Sequence, residues 1–114
     1  FTQGIFFFQP PTIYDEASVI PKWNTGKKDY FNGIISQYKT LESWDALSIE
    51  EAFKQSATEK NLKAGELQMI FRIMLVGNKT GPAVFLIAET IRKEETISRI
   101  ENALRAFDKL AGTP

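Results

Sequence analysis

The sequence predicts an all-α fold of about five or six helices with a short extended N-terminal arm. Apolar residues recur at helical spacing through most of the chain after residue 15. No stretch alternates with the two-residue period of a strand. Capping residues, glycines and prolines stand where those periodic stretches begin and end.

In order, Phe6-Phe7-Phe8 followed by Gln9-Pro10-Pro11 reads as an extended apolar arm stopped by prolines. Asp15 is placed to cap a short helix through Val19, with Pro21 limiting its extension. From about Lys28 to Leu41, the residues Tyr30/Phe31, Ile34, Ile35, Tyr38 and Leu41 keep the spacing of one helix face. Residues 43–47 make a connector. Ser48-Ile49-Glu50-Glu51 then has the capping-box form, which predicts a helix from Ser48 to about Lys60 with Ile49, Ala52, Phe53 and Ala57 inward. Asn61 to Ala64 supplies the next turn.

Leu67, Ile70, Phe71, Met74 and Leu75 follow the i, i+3, i+4, i+7, i+8 rule, and Gly77 is the natural stop. Pro82 suits the first position of a further helix to about Ile91. A last helix, about Glu94 to Leu110, turns Ile97, Ile100, Leu104 and Phe107 inward and Ser98, Glu101, Arg105 and Asp108 to water. The apolar hairpin 67–91 is expected at the centre.

Composition limits the chemistry. At 114 residues the chain fits one domain, or one domain and part of a neighbour. The longest apolar runs are interrupted by Arg72 and Glu89, well short of the ~18 residues of a membrane span. Without cysteine there is no disulfide framework and no thiolate metal site, which suits a reducing compartment. Without histidine the commonest general base is missing too, and no acidic cluster has catalytic spacing. No catalytic, cofactor-binding or metal-binding residue is expected. Fourteen cations balance 14 anions, so bulk charge does not draw the chain to polyanions and any nucleic-acid contact would be local. The first residue is Phe1, not Met, which reads as a piece of a longer protein.

One constellation stands out. Arg72 lies among Met69, Ile70, Phe71, Ile73, Met74 and Leu75, and five residues later comes the turn Gly77-Asn78-Lys79-Thr80-Gly81-Pro82. A guanidinium has five donors in a fixed plane and stays charged, so within an apolar helix it either pairs internally, emerges at the edge, or meets a ligand's acceptors. Because Pro82 cannot donate, the N–H groups of Ala83, Val84 and Phe85 are the expected free donors of the following helix, at the positive end of its dipole. Lys79 and Thr80 add a charge and a hydroxyl.

The succession Lys63-Ala64-Gly65, Arg72, Gly77, Gly81-Pro82-Ala83-Val84-Phe85, Lys93-Glu94-Glu95 and Arg99-Ile100-Glu101-Asn102-Ala103-Leu104 resembles the C-terminal anticodon-binding region of bacterial glutamyl-tRNA synthetase. Phe6-Phe7-Phe8, Tyr14-Asp15 and Glu51-Ala52-Phe53 extend the resemblance upstream, although it is most specific from Leu62 onward. It implies an anticodon-binding helical bundle made of an arm (1–14), a first helical part (15–61) and a terminal helical part (62–114). In that family the residues matching Arg72, Pro82 and Val84 contact anticodon bases, and Lys79, Thr80 and Gly81 lie in the adjoining turn. Gly81 stands where the family often has Thr or Ser, Val84 where it usually has Leu, and Arg92 where Gly is common.

By the same resemblance the partners are the anticodon loop of glutamate tRNA and a catalytic domain of the same chain, absent here, that uses ATP and magnesium. The parent would be a cytoplasmic, monomeric glutamate–tRNA ligase with no membrane association, and this segment would do recognition and no chemistry. The alternative is a helical protein–protein module that uses the apolar hairpin as a groove. Such a module would bind its partner independently of salt and of competing RNA.

Overall fold

In the computed structural model, residues 14–78 and 83–110 are described. They hold helices and no strand, as expected. The Phe6–Phe8 arm and the turn residues Lys79 to Pro82 lie outside them.

Helix α1 (Glu16–Val19) is capped by Asp15, whose carboxylate accepts from the Ser18 N–H at 3.3 Å. Helix α2 (Thr25–Thr40) starts about a turn earlier than the apolar spacing predicted. Its start is set by Asn24, whose side chain accepts from Lys27 N–H at 2.9 Å. Helix α3 (Ala46–Glu59) corrects the capping-box reading. Asp45 is the cap, in an extended conformation, and its carboxylate takes the Ser48 N–H at 2.8 Å. Ser48 is therefore already inside the first turn. An acidic residue three positions upstream reached the donor first.

Helix α4 (Ala64–Val76) ends at Gly77 in the left-handed region, φ 85 and ψ −11, and the Gly77 N–H closes on the Ile73 carbonyl at 2.8 Å. Helix α5 (Val84–Leu110) is one helical run broken at Arg92, φ 78 and ψ 166. Its two arms match the two helices expected there, although it begins at Val84. Ala83 acts as the cap, its carbonyl accepting from Leu86 and Ile87.

Helix α5 packs on α2, α3 and α4, so the hairpin does sit at the centre. An aromatic cluster fills the junction. The Phe53 ring stacks on Phe71 at 5.0 Å and meets Tyr30 and Phe85 edge-on, both at 5.4 Å. Tyr30 and Tyr38 are fully buried, and their hydroxyls donate to the Phe53 and Ile49 carbonyls. Burial pushes both phenols above the ordinary tyrosine range, so they remain donors at any physiological pH.

Candidate functional site

The α4–α5 hairpin brings Arg72 and the start of α5 into one neighbourhood. Phe71 and Phe85, the chain neighbours of Arg72 and Val84, have ring centroids 6.2 Å apart. Arg72 itself is partly exposed on α4. The stripe Leu67, Ile70, Phe71, Met74 faces the core, and this leaves Arg72 at its edge. Lys79, Thr80, Gly81 and Pro82 were singled out from sequence and lie outside the described residues.

Val84 differs from expectation. Its side chain is 1% exposed and belongs to the core, so it presents no apolar surface to a ligand. The reason is the register of α5, in which Val84, Ile87, Ala88 and Ile91 form one inward stripe at i, i+3, i+4, i+7. That spacing was legible in the sequence. The large apolar side chain exposed on this first turn is Leu86, at 54%. The helix start also shifts the set of terminal donors by one, from residues 83–85 to 84–86, and Leu86 N–H is engaged by Ala83.

The deeply buried cation is Arg99, not Arg72. Arg99 is 1% exposed on the second arm of α5. Its Nε donates to Glu95 at 2.7 Å, and one Nη donates to the Leu75 carbonyl at 2.7 Å. Its other Nη is buried with no hydrogen-bond partner among the described residues. An orphan buried donor costs about 1–3 kcal/mol, so Arg99 is an expensive way to fill this space. The available sequence signal was position: Arg99 lies four residues before the inward Ala103 and three after the inward Thr96. Close by, the Asp15 N–H donates to the Gly77 carbonyl at 2.9 Å. Burial raises the Tyr14 hydroxyl above the usual phenol value, and the Arg105 and Arg99 cations partly offset this.

At the opposite end of α4, Glu66 pairs with Lys27 at 3.2 Å and Lys22 at 3.7 Å. The hydrogen bond from Lys27 holds its carboxyl below the ordinary range. Among the described residues no group of acidic side chains could hold a metal ion, and no helix is long and apolar enough to cross a membrane.

Comparison with known proteins gives the family. A family profile described as "Anticodon binding domain" matches residues 1–104. The chain is 37% identical over 102 residues to the glutamate–tRNA ligase of Flavobacterium johnsoniae, covering 90% of this chain and 20% of that one. It is 33% identical over 103 residues to the ligase of Amoebophilus asiaticus, with the same coverage. A crystal structure of a glutamate tRNA ligase from Elizabethkingia meningosepticum, in complex with its amino acid, superposes with a TM-score of 0.82 at 34% identity. That match covers 91% of this chain and 20% of the other. The chain thus spans about a fifth of the length of these relatives.

Proposed function

Because this chain belongs to the anticodon-binding domain family, we propose that it reads the anticodon of glutamate tRNA for a glutamate–tRNA ligase of which it forms the C-terminal part. The observation that carries this reading is the likeness to glutamate–tRNA ligases in both sequence and fold, which runs through nearly the whole chain and includes the hairpin bearing Arg72.

Anticodon bases are single-stranded and can be splayed out, so a planar guanidinium can address their Watson–Crick edges. Arg72 is the base-reading donor in this proposal. Lys79 attracts phosphate, and Thr80, Gly81 and Pro82 bring backbone and hydroxyl groups to the same strand. Val84 contributes through its backbone N–H, and Leu86 supplies the apolar surface for a base face. Glutamate, ATP and magnesium belong to a catalytic domain elsewhere in the parent, which acts as a monomer in the cytoplasm. Docking the anticodon here sets the acceptor end of the tRNA against that domain.

The test is a titration of the full-length protein with glutamate tRNA and with an anticodon-mutated control, at two salt concentrations. Arg72→Lys keeps the charge and loses the planar fork, so it should cost about 1–3 kcal/mol of discrimination while barely changing the salt slope. Equal binding of both RNAs by the unaltered protein would remove the anticodon reading. Binding of a protein partner that is insensitive to salt and to RNA would favour the groove alternative.

A further inference from the structure

Three carbonyls at the end of α4 are held from three different directions. Ile73 is closed by the Gly77 N–H of its own chain turn. Leu75 is taken by the guanidinium of Arg99, which lies 24 residues further along the chain. Gly77 is taken by the backbone N–H of Asp15, at the opposite end of the sequence. A helix terminus needs its last carbonyls satisfied, but water or a single cap ordinarily suffices. Here two remote segments reach in, one to the last turn of α4 at Leu75 and the other to its stop at Gly77. Leu75 lies three residues beyond Arg72, about 4.5 Å along the helix axis, so the same grip sets the height of Arg72.

We propose that Arg99 is a positioning residue for anticodon recognition: through the Leu75 carbonyl it aims the end of α4, and with it Arg72, at the RNA. The inference rests on the anticodon reading above. What separates it from a purely structural role is the poor energetics of the site. Arg99 is desolvated, its carboxylate partner Glu95 is 38% exposed, and one of its Nη groups has no acceptor among the described residues. A long apolar side chain would fill this space without an orphan donor, and buried ion pairs are commonly neutral or unfavourable against such replacements. An arginine here contributes direction to the Leu75 carbonyl more than it contributes stability. Glu95, one helical turn away on the same arm, holds Nε at 2.7 Å and fixes the angle at which the guanidinium reaches across.

The experiment uses the full-length protein that carries this chain. It compares Arg99→Met, Arg99→Lys and Glu95→Gln for thermal midpoint and for KM and kcat on native and anticodon-mutated glutamate tRNA. Hydrogen exchange at the Gly77 and Asp15 amides is followed in parallel. Arg99→Met should keep or raise the midpoint while preference for the native anticodon falls about tenfold, carried by KM and not kcat. Gly77 and Asp15 should exchange faster. Arg99→Lys, which restores a single donor, should recover part of the preference. Glu95→Gln should lose a smaller share of it at an unchanged midpoint.

Preference and midpoint falling together, with no rescue by lysine, would reduce Arg99 to a structural residue and overturn the proposal. If Arg99→Met does not fold, Glu95→Gln decides: an unaltered preference overturns the proposal and a reduced one supports it. If the unaltered protein shows no anticodon preference, the recognition reading itself has failed and the positioning role falls with it. That result is recognised before any variant is compared.

Discussion

Gly77 and Arg92 end the two arms of the central hairpin with positive φ, 85 and 78, and they meet that requirement differently. At Gly77 the residue has no side chain to clash, and the turn closes on the Ile73 carbonyl. At Arg92 a full side chain occupies φ 78, ψ 166, a region that is essentially reserved for glycine. The backbone there is strained, and contacts from elsewhere hold it. The Ala88 carbonyl, one turn before the break, accepts from Trp44 Nε1 at 2.9 Å and from the Thr96 hydroxyl at 3.2 Å. Lys93, the next residue, donates to the Leu41 carbonyl at 2.6 Å and lies 6.0 Å from the Trp44 ring centroid.

The difference is instructive. The turn at Gly77 is conformationally easy, and Arg99 and Asp15 take the carbonyls on either side of Val76. The break on the far side is difficult, and it is held by ties to the first helical part of the chain. Those ties join the two helical parts through Trp44 and Leu41, and the strain at Arg92 persists because they over-determine the geometry.

The comparison can be broken at its strongest point first. Gly77→Val places a β-branched side chain in the left-handed region, at a buried position, and should lower stability by at least ~2 kcal/mol. Chemical denaturation of residues 1–114 measures it. An unchanged midpoint would mean that the turn tolerates another conformation.

Arg92→Gly should act in the opposite direction. Relief of strain outweighs the added freedom of the unfolded chain and raises stability by ~1–2 kcal/mol. A fall instead would show that the exposed Arg92 side chain makes contacts worth more than its strain.

Thr96→Val keeps the shape of a fully buried side chain and removes one donor to the Ala88 carbonyl. It should cost ~1 kcal/mol, and less in the Arg92→Gly background if the two share the work of holding the break. A double-mutant cycle reads that coupling directly.

The smallest effect concerns pH. Glu66 has a folded-state pKa below its ordinary value, so its contribution is present above the normal carboxylate pKa. It is lost as pH falls through the lowered value. Denaturation midpoints should therefore show a small acid step that Glu66→Gln removes. Gly77→Val and Arg92→Gly should shift the whole profile without changing its shape, because neither alters a group that titrates there.

Much of this was legible in the residues. Apolar spacing located four of the five helices within a few residues, and Gly77 marked its own turn. Arg92 could be singled out as occupying a place where the resembling family has glycine. Two errors were local. The start of α3 was assigned to Ser48 because its capping box was read and the equally good cap Asp45 was not. Val84 was read through the resemblance, although its spacing to Ile87, Ala88 and Ile91 already pointed inward. Arg99 was a different case, because no inward or outward reading of it was made from the sequence. Its spacing to Thr96 and Ala103 put it on the inward side of the helix, but nothing local shows that it reaches a carbonyl 24 residues away.

By itself, then, the sequence determined where most of the helices lie, the Asp15 cap, the Gly77 stop and the family resemblance, because periodicity, capping and backbone preference act within a few residues of each position. Only the tertiary structure decided which arginine is buried, which apolar residue on the first turn of α5 is left exposed, and which remote groups satisfy the end of α4. Those outcomes depend on how helices far apart in the chain meet. A side chain's burial and its hydrogen-bond partner are set by the surface that arrives against it.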